Sequence, residues 1–113
     1  MSKQRRDSDY LGDIREAMER IIAYTTDLSY EQFLNDSKTQ DAVIRNLQVI
    51  GEAAKKLSIP VRRANPYIPW REMAGMRDKI VHDYFGVNYE IVWTVARDQL
   101  PTLLLQITSL LEA

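Results

Sequence analysis

The sequence predicts an all-α fold, an up-and-down bundle of four to five helices forming a single domain over residues 1–113. Three observations carry this. Apolar residues recur at three- and four-residue steps along most of the chain, no segment alternates with the two-residue period of a half-buried strand, and the gaps between apolar runs hold the Ser, Asn, Asp, Gly and Pro residues that start and stop helices. A chain of 113 residues is long enough for one core and too short for separate catalytic and regulatory units, so it is expected to act with a partner.

The first helix is expected from about Asp9 to Thr26, because Ile14, Met18, Ile21, Ile22 and Thr25 fall on one stripe, with Asp7 or Ser8 as its cap. Ser29 followed three residues later by Gln32 predicts a capping box opening a short helical piece through Leu34, ended by Asn35 and Asp36. A long helix follows from Asp36 to about Ser58, with Val43, Leu47, Ile50, Ala54 and Leu57 in a heptad-like seam suited to antiparallel packing. Inside it Gly51 costs about 1 kcal/mol relative to alanine, which implies that another backbone or side chain passes close by. Pro60, Pro66 and Pro69 then divide an irregular crossing segment, IPVRRANPYIPW, of a length usually tied to function or partner binding. Trp70 to Phe85 reads as a fourth helix stopped by a left-handed cap at Gly86. Asn88 should cap a fifth, with Ile91, Val92, Val95, Leu100, Leu103, Leu104, Ile107 and Leu111 as its apolar positions and a kink at Pro101.

Composition narrows the chemistry. There is no cysteine, hence no disulfide framework or thiolate metal site, and the N-terminal stretch lacks an apolar run of signal-peptide length, so a cytoplasmic protein is expected. The net charge is −1, yet the segment from Arg45 to Lys79 has eight Lys/Arg against three acids, a net +5 between two flanks of −3 each. Such a basic middle can present a local surface for an anionic ligand while the whole stays near neutral. Direct nucleotide transfer is disfavoured, since neither an acidic metal cluster nor a glycine-serine phosphate grip is present.

The only histidine lies just past that basic segment, in the run Arg77-Asp-Lys-Ile-Val-His-Asp-Tyr84 that begins within it, of the form R-x4-H-x-Y. An imidazole, with an ordinary pKa of about 6.5, beside a guanidinium that keeps its charge is the minimal equipment for handling a phosphodiester. On one unbroken helix Asp78 and His82 would sit about 40° apart and could pair, and Tyr84 would ride within about 20° of Arg77. Arg77 and His82 would be about 140° apart, so the helix alone would not assemble a site, and two copies meeting across a two-fold axis would remedy this.

The segments RNLQVIGEAAKKLS (Arg45 to Ser58), P-x-I-P-W-R-E-M-A-G-M-R-D-K-I-V-H-D-Y-F-G (Pro66 to Gly86) and VNYEIVW together resemble the HepT-like family of HEPN domains. The likeness runs from about Tyr10 to Leu110 and makes the chain one HEPN-like helical domain. It implies a toxin of a toxin-antitoxin pair that forms a homodimer and is encoded beside a minimal nucleotidyltransferase antitoxin. The implied reaction is metal-independent RNA cleavage by attack of the 2′-hydroxyl on the adjacent phosphate, with no cofactor. By this resemblance Arg77 and His82 match the catalytic pair, Asp78 the supporting polar residue, and Tyr84 the tyrosine that the antitoxin modifies with AMP. Arg62, Arg63 and Lys79 are candidate contacts to RNA or partner, while Gly51 and Glu52 are expected to serve structural roles, close packing and an ion pair with an arginine. A noncatalytic helical module that binds a nucleotidyltransferase or a nucleotide is the alternative. A histidine on an amphipathic helix is most often merely packed or exposed, and it is the family string around His82 that shifts the balance toward catalysis.

Overall fold

The structure is a computed structural model that describes residues 5–82 and 86–113; of Arg77, Val81 and His82 it describes the backbone alone. Among these residues the architecture is the expected all-α bundle, built on three long helical stretches. α1 spans Asp7–Thr25, α3 spans Ser37–Lys56, and α8 spans Leu100–Glu112. Shorter pieces join them: α2 (Tyr30–Leu34), α4 (Ile59–Ala64), α5 (Trp70–Ala74), α6 (Met76–Ile80) and α7 (Tyr89–Thr94). One small antiparallel ladder pairs β1 (Val81–His82) with β2 (Gly86–Val87) in the register Val81↔Val87 and His82↔Gly86. Among the described residues no helix is long and apolar enough to cross a membrane.

α1 and α3 bury the stripes their spacing predicts. Ile14, Met18, Ile21 and Thr25 face inward from α1, while Ile22 is only partly covered; all five seam residues from Val43 to Leu57 are buried. Each fully covered Ile, Leu or Met side chain contributes about 1.5–3 kcal/mol through removal of apolar surface from water. The two helices run in opposite directions, because the start of α1 meets the end of α3: Ser58 donates its backbone N–H to Asp7 Oδ1 (2.9 Å) and its hydroxyl to Oδ2 (2.7 Å). α8 lies on the other side of α1 and shares the core through Leu100, Leu103 and Ile107.

Asp7 is therefore a tether rather than the α1 cap. The helix begins at Asp7 with Arg6 as N-cap, and the Arg6 N–H is taken by the Asp9 carboxylate at 2.9 Å. The Ser58 hydroxyl, then its backbone N–H, hold the Asp7 carboxyl below the ordinary carboxylate range. A depressed folded pKa contributes stability above the unfolded value of about 3.9 and loses it as pH falls through the folded value. Asp7→Asn is accordingly expected to lower the melting temperature by a few degrees at pH 7, and the gap from wild type to close below pH 4. Thermal melts across pH check this; a gap that is constant with pH would remove Asp7 ionisation from the account.

The capping signals were otherwise sound. Ser29 Oγ accepts from Gln32 N–H (3.1 Å) while the Gln32 side chain accepts from Ser29 N–H (2.9 Å), the reciprocal box predicted for α2. Asp36 caps α3, accepting from the Thr39 N–H (3.1 Å) and hydroxyl (2.7 Å), and these bonds, the hydroxyl foremost, lower its pKa.

Four expectations are corrected. The crossing segment contains α4, because Ser58 caps it and Pro60 sits in the first turn, where the missing N–H has no helical acceptor to lose. The fourth helix does not run to Phe85: it breaks at Gly75 and ends at Ile80, where a β-branched Ile-Val pair begins the ladder. Gly86 does adopt positive φ (77°), but within β2 rather than as a helix cap. The fifth helix is not α-helical throughout: it widens in the turn before Pro101, a π-helical segment at Val95–Gln99 in which Leu100 N–H bonds Val95 C=O. Pro101 has no N–H for the Arg97 carbonyl, which removes the α-type bond that would hold that turn tight. Arg97 itself donates from Nη1 to the carbonyls of Thr25 (2.7 Å) and Thr26 (3.0 Å), bringing positive charge to the C-terminus of α1, whose last turn has no basic residue.

Candidate ribonuclease site

The motif is seated by packing against α3. A Cβ built on Gly51 would meet the carbonyl oxygens of Met73 and Ala74 at 3.4 Å each, so the close backbone approach inferred from this glycine is the end of α5. Trp70 and Met73 of α5 and Met76 and Ile80 of α6 are buried and anchor these two short helices to the core. The Trp70 indole N–H donates to Asn65 C=O at 2.9 Å, tying the end of α4 to the start of α5. At the far end Asn88 does two jobs: its N–H bonds Ile80 C=O (2.8 Å), closing the ladder, and its Oδ1 accepts from Ile91 N–H (3.1 Å), capping α7. The cap was legible in the sequence. The closure was not, because it needs a partner eight residues back.

Between those anchors the backbone of Arg77 lies on α6 and that of His82 on β1. Their side chains, and Tyr84 entirely, lie outside the described residues. Asp78 and Lys79 are exposed on α6. Because α6 ends at Ile80, the helical angles predicted from Arg77 through Tyr84 do not hold, and the four-residue step from Asp78 to His82 crosses from helix to strand.

The remaining candidates separate. Arg62 is half-buried and donates from Nη2 to Leu57 C=O (2.9 Å), at the C-terminal end of α3, whereas Arg63 is exposed. Glu52 pairs with a lysine, its Oε1 3.8 Å from Lys55 Nζ, and an exposed pair of this kind is worth little; a pairing with the Arg77 side chain lies outside the described residues. Arg45, Lys55, Lys56, Arg63, Arg71 and Lys79 are exposed, so the basic middle of the chain is displayed on the surface.

Beside the motif a cleft of about 360 Å³ opens between α6 and the α7–π segment. Lys79 lines it from α6, Asn88, Glu90, Ile91 and Thr94 from α7 and its cap, and Val95 and Gln99 from the π segment. Of these the sequence marks only Lys79 as a candidate contact; Asn88 reads there as a cap and Ile91 and Val95 as apolar positions. Pro101 was the available signal for the rest, since it marks the turn that reshapes this face.

A helical bundle whose sequence carries an R-x4-H-x-Y string, with the Arg77 backbone on a short helix and that of His82 on the strand after it, is a protein of the HEPN class. The family described as Ribonuclease HepT-like matches residues 14–110, and the chain belongs to that family. It is 49% identical over 100 residues to a probable ribonuclease HepT of Thermococcus cleftensis, covering 88% of this chain and 91% of that one. It is 45% identical over 103 residues to a putative RNase of Methanocaldococcus jannaschii, covering 91% and 85%. It is 40% identical over 103 residues to a putative RNase of Caldanaerobacter subterraneus subsp. tengcongensis, covering 91% and 92%. No solved structure matches the chain.

Proposed function

We propose that this chain is the toxin of a toxin-antitoxin pair, a metal-independent endoribonuclease acting in the cytoplasm as a homodimer and silenced by AMP transfer to Tyr84 from a partner nucleotidyltransferase. One observation carries the reading: the family match over residues 14–110 encloses an intact Arg77-x4-His82-x-Tyr84. In the reaction the ribose 2′-oxygen gives up its proton and attacks the adjacent phosphorus. The P–O5′ bond breaks, and the 5′-oxygen leaves with a proton, yielding a 2′,3′-cyclic phosphate and a 5′-hydroxyl. His82 accepts or donates one of these protons, and the Arg77 guanidinium stabilises charge on the non-bridging oxygens. Asp78 supports the pair, and Arg63 and Lys79 offer positive charge to the RNA backbone. The homodimer rests on family likeness, since the angular argument for it ends with α6 at Ile80.

Purified chain incubated with RNA in chelator should generate cyclic-phosphate ends; RNA left intact under all conditions would overturn the proposal. The regulatory half is read separately by intact mass after incubation with the neighbouring nucleotidyltransferase and ATP. AMP-sized additions should form on the wild type and vanish in Tyr84→Phe. Additions that persist on the phenylalanine variant place the acceptor elsewhere. An adenylyl group brings a bulky base and a negative phosphate to a basic site, which is a physical reason for it to exclude RNA.

A further inference from the structure

The cleft between α6 and α7 has a composition that the motif chemistry does not use. Its lining combines aliphatic Ile91 and Val95 with the polar side chains of Glu90, Thr94 and Gln99, and Lys79 stands on the facing side. A volume of about 360 Å³ is at the low end of small-ligand sites. Aliphatic walls suit the flat faces of a nucleobase, and the polar groups suit its edge. A carboxylate inside the cleft argues against a phosphate there, since two anions would meet; Lys79 supplies the cation for a phosphate outside it.

The π segment is what brings these groups together. Glu90 and Thr94, four apart, share a face of α7. On an uninterrupted α-helix Gln99, five residues beyond Thr94, would fall about 140° away. The i→i+5 bonding of Val95–Gln99 takes up one extra residue in the turn, so Gln99 returns to the face of Thr94 and lines the same cleft. Helix formation carries no need for this widening, and π turns of this kind are frequent at functional sites.

We propose that this cleft is a base-specific subsite holding a guanine of the RNA next to the scissile link. Guanine alone among the four bases places two adjacent donors, N1–H and the 2-amino group, beside an acceptor, O6. The Glu90 carboxylate accepts from the two donors, and the Gln99 amide or Thr94 hydroxyl donates to O6. Uracil would set carbonyl oxygens against the carboxylate, and adenine and cytosine each offer only one donor group on that edge. The subsite rests on the reading of the chain as one that takes RNA, and it names the base that reading leaves open.

The test uses the full chain and short 2′-O-methyl oligouridines with or without one guanosine. These lack the free 2′-hydroxyl and stay uncut, so fluorescence anisotropy reads binding independently of catalysis. The guanosine-containing oligomer is expected to bind about tenfold more tightly. Glu90→Gln and Gln99→Ala should each erase most of that preference, read as the ratio of the two affinities; both positions are exposed, so folding is not at stake. Equal affinity of the wild type for the two oligomers, or an undiminished preference in Glu90→Gln, overturns the subsite. Failure of RNA cleavage in chelator would sink the enzyme reading instead, and the binding result would still decide the subsite.

Discussion

Replacement of His82 by alanine is expected to lower RNA cleavage by about 10²–10⁴-fold, the usual share of a positioned general acid or base. Arg77→Ala is expected to cost about 10²–10³-fold, since it removes the charge that answers the developing phosphorane. Arg77→Lys should recover only part of this, because an ammonium cannot supply the guanidinium's planar fork. Single-turnover cleavage of a fluorogenic RNA in chelator gives the rates, and melting curves show whether the variants remain folded. Induced expression of the wild type should also arrest growth while either alanine variant does not. A His82→Ala protein that cuts RNA as fast as wild type would leave the family string without its chemistry, and the chain would then read as a binding module.

Gly51→Val is expected to be the most damaging single change away from the motif. The valine γ-carbons have to enter space where even a Cβ already meets two carbonyl oxygens at 3.4 Å, and those carbonyls belong to backbone that cannot swing aside like a side chain. Overpacking of this kind costs about 1–3 kcal/mol, and for a domain of this size that is a melting temperature lower by about 5–10 °C. α5 would lift from α3, carrying with it α6 and the Arg77 backbone. Cleavage should therefore fall more than about tenfold even well below the melting temperature, since a small misplacement of a charged group is enough to lose orientation. Gly51→Ala is the control. The alanine Cβ fits in van der Waals contact at 3.4 Å and the helix gains about 1 kcal/mol of propensity, so the melting temperature should be at or slightly above wild type and cleavage near it. An unchanged melting temperature in the valine variant would mean that α5 gives way easily, and that Gly51 does not set the motif's position.

How far each inference reached follows from the range of the interaction behind it. Ser29 with Gln32, and the stripes from Ile14 to Thr25 and from Val43 to Leu57, are all encoded within a turn or two of the chain, and the structure reproduces them. Gly51 was read as the mark of a close neighbour, and the neighbour is the end of α5. Asp7 was misread because an aspartate at a helix start is by type a good cap, whereas its partner Ser58 lies 51 residues away. Arg62 was left open among RNA, partner and solvent, and its guanidinium is engaged by the Leu57 carbonyl. The motif helix was overextended because the pattern from Trp70 to Phe85 has no residue that forbids helix after Ile80. The return is set instead by Asn88 bonding back to Ile80.

The sequence by itself determined the helical class, the core stripes, the caps at Ser29 and Asn88, and the family, because periodicity, capping chemistry and a long matching string are local properties of the chain. The tertiary structure decided where α6 ends, which side chains tie the helix ends together, and how Gln99 reaches the cleft beside Lys79. Those outcomes depend on contacts between distant residues and on a proline that acts on the turn before it, so they are settled only when the helices pack.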